Sequence, residues 1–359
     1  MSKGALIMSD ITQFDKNFKI DTDLGRNDIV WHDPRKAPFS LYGVYFDGEC
    51  YRRMPEDIAK NVNDGVHELS KHTAGGRVCF TTDSDFVAIS YRRASLWKLS
   101  HMALSGSAGF DLYIRIDGKE TYYGAFVPNQ STTGYDSILK FPTKEKREII
   151  MHFPLYAGVT QLALGLCERA SLEKWGGYKN EKPVVFYGSS ITQGACSCTP
   201  GNDYAGRVSR RFDTNYINLG FSGSAKGEDA MMEYIASLDM SCFVYDYDYN
   251  APDAAHLEKT HYNGYRKVRE AHPDMPIVMM SAPNYDRLTV DMHKRRDVIA
   301  ASYERALAEG DKNVYFVDGK KYFSTFNFDG CSVDGTHPND LGFYRMAQAV
   351  IEQMEKFWN

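Results

Sequence analysis

The pattern of the chain changes near residue 180, and that change limits the fold more than any other feature. Upstream, from about residue 78 to residue 168, apolar and polar residues alternate. In Asp85-Phe-Val-Ala-Ile-Ser-Tyr91 the side chains of Val87, Ile89 and Tyr91 fall on one face. In Asp111-Leu-Tyr-Ile-Arg-Ile-Asp117 those of Leu112, Ile114 and Ile116 do the same. Segments 121–127, 148–153 and 161–166 continue the period of two, and Asp117-Gly118-Lys119 is a hairpin signal. Short alternating strands without amphipathic helices between them predict an antiparallel β-sandwich or jelly roll. Residues 1–75 add a candidate strand at 41–46 and a short helix at 55–62.

Downstream the period is different. Apolar runs at 184–187, 216–219, 243–245, 277–280 and 314–317 alternate with helical stretches at 204–212, 229–237, 254–271, 286–308 and 339–357. Continuously apolar strands separated by helices predict a parallel sheet covered on both faces, a three-layer doubly wound α/β fold. In the last helix Leu341, Tyr344, Ala347, Val350, Ile351 and Met354 make the stripe expected to pack on that sheet. The Gly- and Lys-containing stretch 175–183 is taken as the boundary, giving a β-domain over residues 1–178 and an α/β domain over residues 179–359.

With 359 residues, 43% hydrophobic and 25% charged, the chain has the balance of a soluble globular protein with room for sizeable cores. Lys and Arg number 42 against 47 Asp and Glu, a net charge of −5, which argues against a nucleic-acid partner or a polybasic membrane-surface protein. No uninterrupted apolar run is long enough to span a bilayer. The start, with one short apolar patch from Ala5 to Met8, reads as cytoplasmic, although a secreted chain without its leader would look the same. The seven cysteines are odd in number and scattered, which favours reduced thiols. The sequon Asn129-Gln130-Ser131 matters only after secretion.

Ligands of an open parallel sheet bind beyond the carboxyl ends of its strands. The first apolar run leads into Gly188-Ser189-Ser190-Ile191, the second into Gly220-Phe221-Ser222-Gly223, the third into Asp246-Tyr247-Asp248-Tyr249-Asn250, and the fifth precedes Asp334-Gly335-Thr336-His337-Pro338. A hydroxyl, a glycine turn, an amide and an Asp/His pair thus reach one rim, the set needed for nucleophilic acyl transfer. A serine hydroxyl needs a base to take its proton, and an imidazole, titrating at roughly 6.5 in water, suits that work near neutral pH. Asp334, three residues before His337, can hold one imidazole nitrogen and leave the other for Ser190.

These blocks resemble those of the SGNH (GDSL-type) hydrolases, in order across residues 184–345. The resemblance implies a flavodoxin-like catalytic domain with Ser190 as nucleophile, Asp334 and His337 completing the triad, and Gly223 and Asn250 joining the Ser190 N–H in the oxyanion hole. Gly109-Phe110-Asp111-Leu112-Tyr113 is similar to the motif that names the β-rich N-terminal domain of some of these enzymes. Two departures stand out. Ser189 replaces the usual Asp before the nucleophile, and the third block reads Asp-Tyr-Asp-Tyr-Asn rather than Gly-x-Asn-Asp, which makes Asp248 a competitor of Asn250.

The expected function is a serine esterase acting on small acyl esters, acetyl foremost, with a carbohydrate alcohol implied by the family and not by any residue pattern. No metal or cofactor is expected, and the partner is a small-molecule or carbohydrate ester. A lipid or thioester hydrolase, or a non-catalytic carbohydrate-binding protein on the same scaffold, is the alternative. Subunit assembly, including a role of the β-domain in a homo-oligomer, stays open. Other features read as structural. Cys196 and Cys198 are loop thiols without a zinc set. Asp246 and Asp248 suggest a hydrogen-bond network at the rim. His256, His261, His272 and His293 are read as surface residues, Lys294-Arg-Arg296 as a solvated helix face, and Asp21-Thr-Asp23 as a turn.

Overall fold

The computed structural model describes residues 24–129, 131–283, 288–323 and 330–358. The Met1–Asp10 start, the Asp21–Asp23 turn, Gln130 of the sequon and the helix start at Asp286 lie outside them.

The alternating half forms two facing antiparallel sheets. One runs Ile29–His32, Gln161–Cys167, Phe86–Arg92, Gly134–Lys140 in spatial order. The other runs Leu172–Glu173, Arg77–Thr82, Arg147–His152, Phe110–Ile116, Lys119–Phe126, with Ser40–Tyr42 also pairing along Arg77–Thr82. Their inner faces supply one core that includes Phe80, Val87, Ile89, Tyr91, Leu112, Ile149 and Leu164, each such side chain contributing about 1.5–3 kcal/mol on burial. The hairpin turn sits where Asp-Gly put it. Asp117 and Gly118 have φ of 50° and 74°, the pair of positive values a type I′ turn requires. Ile116, expected inside, is 54% exposed where its strand ends at this turn. The candidate strand at 41–46 is two strands, Ser40–Tyr42 and Tyr45–Phe46, in different sheets. Gly43, at φ 69°, breaks it, and a Cβ there would lie 2.3 Å from the carbonyl oxygen of Gly75.

In the second half five parallel strands stand in the order Thr214–Gly220, Asn180–Gly188, Cys242–Asp246, Ile277–Met280, Val314–Val317, that is two-one-three-four-five. This is the flavodoxin-like winding, with its switch point between the first and third strands. Helices Asp229–Ser237, Ala254–Ala271 and Val290–Ala308 cover one face, and Tyr204–Phe212 and Asp340–Met354 the other. The expected stripe on the last helix is corrected at its start. Phe343, Met346, Ala347, Val350 and Met354 are buried, while Leu341 and Tyr344 are 42% and 47% exposed. Stepping back by threes from Ala347 turns the position by 60° each time, so residue 341 faces away; a step of four, to Phe343, stays on the stripe. Among the described residues no helix is long and apolar enough to cross a membrane.

The two halves interpenetrate. Helices Glu56–Val62 and Asp64–Leu69, early in the chain, send Ala59, Val66 and Leu69 into the α/β core beside Leu219 and Phe221. The 174–179 stretch packs Trp175 and Tyr178 against Cys79, Tyr113 and Ile150. Strand alternation explains the Gly109–Tyr113 motif. Leu112 enters the sandwich, so Asp111 and Tyr113 point the opposite way, toward the α/β layer. The Asp111 carboxylate accepts the N–H of Gly201 at 2.8 Å and pairs with His152 Nδ1 at 2.9 Å, and the Arg210 guanidinium lies 4.5 Å over the Tyr113 ring. A Cβ on residue 109 would come within 2.4 Å of the Ser105 carbonyl oxygen. Replacing Asp111 by Ala should therefore leave a buried N–H and a buried imidazole unpaired and lower stability by about 1–3 kcal/mol, read as a lower denaturant midpoint. An unchanged midpoint would show that the clamp carries no stability.

Candidate active site

The first strand ends at Gly188, where a Cβ would come within 2.1 Å of both the Asp246 carbonyl oxygen and the Thr192 hydroxyl, so only glycine fits. Ser189 follows in extended conformation and caps the one-turn helix Ser190–Gln193, its hydroxyl accepting the Ile191 N–H at 3.1 Å. A serine serves this cap as an aspartate would, which accounts for the first departure from the family pattern. Ser190 is therefore the first residue of the helix, with its N–H at the positive end of the turn.

Ser190 is 7% exposed. Its Oγ lies 2.9 Å from His337 Nε2, and His337 Nδ1 lies 2.7 Å from Asp334 Oδ2. The loop carrying the last two is closed by the Val333 N–H donating to the His337 carbonyl at 2.9 Å and the Asn339 N–H to the Cys331 carbonyl at 3.0 Å. Partial burial of the Asp334 carboxyl works against its charge, but hydrogen bonds from the His337 ring and from the backbone N–H groups of His337 and Thr336 outweigh it and hold the pKa at about 2. Asp334 is thus an anion throughout the neutral range, and it orients the ring so that Nε2 faces the hydroxyl.

Gly223 lies in the turn after the second strand with φ 69°, which selects glycine; a Cβ there would meet nothing within 4 Å, so this side of the turn is open. Asn250 ends the short turn Asp248–Asn250 beyond the third strand, and its Nδ2 donates to the Phe221 carbonyl at 2.8 Å. One N–H thereby ties the amide to the Gly223 loop, and among the described residues no acceptor takes the other. Asp248, the competitor, is fully buried and takes the Ala282 N–H at 2.8 Å, so it belongs to the interior. Among the described residues no acceptor takes the N–H of Ser190 or Gly223. The structure therefore gathers Ser190, His337, Asp334, Gly223 and Asn250 at the carboxyl ends of the first three strands and in the loop before the last helix.

Several supports carried no signal in the sequence. Gln193 accepts the Ser222 N–H at 3.0 Å and donates to the Leu155 carbonyl at 3.1 Å, bracing the glycine turn. Arg53, fully buried, donates to the carbonyls of Gly220 at 2.7 Å, Asn218 at 3.0 Å and Leu69 at 2.8 Å. With no carboxylate beside it, burial brings its pKa down to about 9. Arg295, expected on a solvated face, is buried and donates to the Asp248 carbonyl at 2.8 Å, holding the Asn250 turn. Arg296 of the same expected face pairs with Asp318. His261, expected at the surface, is buried with its ring 4.6 Å from that of Tyr245; the helix turns that position onto the aromatic core. Cys196 is buried near the site, and burial first, then the Asp334 charge, pushes its thiol up to about 12.

Residues 181–355 match the model of the GDSL-like lipase/acylhydrolase family, and residues 29–172 match GxDLY, the N-terminus of SGNH-hydrolase-type esterases. The chain belongs to the SGNH (GDSL-type) hydrolases that carry this β-rich N-terminal region. Among solved structures it is similar to a candidate GDSL-like lipase from Bacteroides ovatus, at 28% identity and TM-score 0.82 over 91% of this chain and 97% of that one. It shares its fold with the salicylyl-acyltransferase SsfX3 of a tetracycline biosynthetic pathway, at 18% identity and TM-score 0.75 over 92% and 98% of the two chains. It also shares it with an acetyl xylan esterase from the rumen bacterium Butyrivibrio proteoclasticus, at 11% identity and TM-score 0.53 over 92% and 99%. No curated protein matches the chain.

Asp246, at the end of the third strand, is fully buried and accepts the hydroxyls of Thr192 at 3.1 Å and Tyr204 at 3.0 Å. Burial, then the neighbouring Asp248 carboxyl, pushes its pKa up to about 8. An aspartyl group in the unfolded chain titrates near 3.9, so between about pH 4 and pH 8 the folded protein keeps a proton that the unfolded chain releases, and stability falls as pH rises through that window. The variant D246N has the same shape and no titration. Its melting temperature, compared with that of the unaltered protein, should gain steadily from pH 5 to pH 8. A constant difference across that range would mean that Asp246 is ionised in the fold.

Proposed function

We propose that the protein is a serine esterase that removes a small acyl group, acetyl foremost, from a carbohydrate or related alcohol. The observation that carries the reading is the unbroken chain of hydrogen bonds from Ser190 Oγ through the His337 ring to Asp334, 2.9 and 2.7 Å long. In this mechanism Ser190 Oγ attacks the ester carbonyl carbon while His337 Nε2 takes the hydroxyl proton, and Asp334 stabilises the imidazolium without itself being protonated. Negative charge grows on the carbonyl oxygen, and the Ser190 and Gly223 N–H groups with the free N–H of Asn250 Nδ2 receive it. The proton passes to the leaving alcohol; water, activated by the same ring, then releases the acid from the acyl-enzyme. Acetyl and carbohydrate are the preferred substrate classes because the fold is shared, over nine-tenths of this chain, with an acetyl xylan esterase.

Replacing Ser190 by Ala should lower aryl-acetate turnover by about 10⁴-fold or more in a protein that keeps its melting temperature. Undiminished turnover would refute the assignment. Replacing Asn250 by Ala should lower kcat by about 10²–10³ with KM little changed; a loss confined to KM would remove Asn250 from the oxyanion hole. A screen of acetylated sugars against long-chain acyl esters decides the substrate class, since the proposal requires the acetyl esters to turn over faster.

A further inference from the structure

Three side chains able to ligate a metal, drawn from three separate segments, meet beside Ser190, and the esterase mechanism uses only one of them. His101 lies on the crossing between the sandwich strands Phe86–Arg92 and Phe110–Ile116, Cys196 two residues beyond the Gly194 that ends the nucleophile's helix, and His337 before the last helix. One ligand atom from each lies within 4.8 Å of the others, and the rings of His101 and His337 are 5.4 Å apart.

Cys196 is buried, free of any disulfide, and has φ 72°, a conformation that a residue with a side chain keeps only where its surroundings impose it. The imposing contacts are present. The Ala195 N–H donates to the Ser190 carbonyl at 2.9 Å, the Ser197 N–H to the Gly194 carbonyl at 3.1 Å, and the Ser105 hydroxyl to the Cys198 carbonyl at 2.6 Å. The backbone therefore aims the sulfur, while the exposed His101 has room to change rotamer.

We infer that His101, Cys196 and His337 form a site for a thiophilic divalent cation, best matched by zinc, that silences the enzyme by occupying the nitrogen facing Ser190. Binding rests on the geometry alone; the loss of activity rests on the esterase reading, with His337 as base. Two imidazoles and a thiolate are a zinc donor set. Asp334 already holds His337 Nδ1, so Nε2 meets the ion, and a carboxylate behind a ligating imidazole is the usual outer partner of a zinc-bound histidine. As the sulfur–metal bond forms, the thiol proton leaves to solvent. The Nε2 lone pair goes to the metal and is no longer available to the Ser190 proton, and the fourth position is left for water or the Ser190 hydroxyl. Zinc–nitrogen bonds of about 2.0–2.1 Å and a zinc–sulfur bond of about 2.3 Å set the donor atoms roughly 3.3–3.6 Å apart. Rotation of the His101 ring and small adjustments of the other two close the remaining gap.

The test uses the full chain, with zinc and cobalt ions as probes. Zinc should lower aryl-acetate turnover about tenfold or more, reversibly on adding a chelator, and the H101A and C196A variants, active without zinc, should each need about tenfold more of it. Independently of activity, cobalt(II) should give a thiolate-to-cobalt absorption band in the unaltered protein and in S190A. The band should vanish in C196A and weaken in H101A. If the esterase reading fails, the cobalt band still decides whether the site exists. No band in the unaltered protein, or one that survives in C196A, overturns the metal site; zinc inhibition equally strong in both variants overturns its role in silencing.

Discussion

The geometry of the candidate site depends on two places where the chain runs too close to itself for a side chain. A Cβ at Gly220 would lie 2.1 Å from the Gln193 nitrogen, and one at Gly188 would lie 2.1 Å from the Asp246 carbonyl oxygen. These contacts press the end of the second strand, the one-turn helix Ser190–Gln193 and the end of the third strand together. The turn that carries Ser190 is thereby held between the ends of the second and third strands, which lead into the Gly223 and Asn250 turns. Hydrogen bonds complete what close packing begins: Ser189 caps the turn, Gln193 ties it to Ser222, and Asn250 ties the third strand to Phe221.

The β-rich region helps to build this site. Arg53 and Arg77 are fully buried guanidiniums that reach across to carbonyls of the second parallel strand and its turn, Arg77 also donating to the Tyr178 hydroxyl at 2.9 Å and the Asn215 side chain at 2.7 Å. Burying a cation is expensive unless its donors are satisfied. The carbonyls it meets are thus held in place by the same hydrogen bonds that make the burial tolerable. Together with the Asp111 clamp on Gly201 and the helices over Leu219, they attach the β-rich region to the segment between Ser190 and Gly223, at Gly201 and along its second strand.

Much of this was legible in the residues. The change from a period of two to apolar runs with helices between them separates the antiparallel from the parallel strands, and Asp117-Gly118 marks its hairpin because few other pairs adopt two positive φ values. Ser190, Asp334 and His337 were legible because each follows or precedes a strand or helix whose end is marked locally, by Gly188 or by the Asn339 cap. Positions decided by rotation about a helix axis were harder. Leu341 and Tyr344 turn outward, and His261 and Arg295 turn inward, because a phase error of one residue rotates a side chain by 100°. The strand Gly134–Lys140 is weakly patterned, since Ser137 separates Tyr135 from Leu139 on its inner face.

By itself the sequence determined the two kinds of sheet, the order of the segments and the residue types brought to the rim, because these follow from local periodicity, turn chemistry and strand ends. Only the tertiary structure decided which distant groups meet: Arg53 with the Gly220 carbonyl, Asp111 with Gly201, Arg295 with the Asn250 turn, and His101 with Cys196 and His337. Such meetings leave no periodic trace. They depend on how packed layers bring together residues tens to hundreds of positions apart, which is settled by the volume and hydrogen-bond demands of the whole interior and not by any one segment.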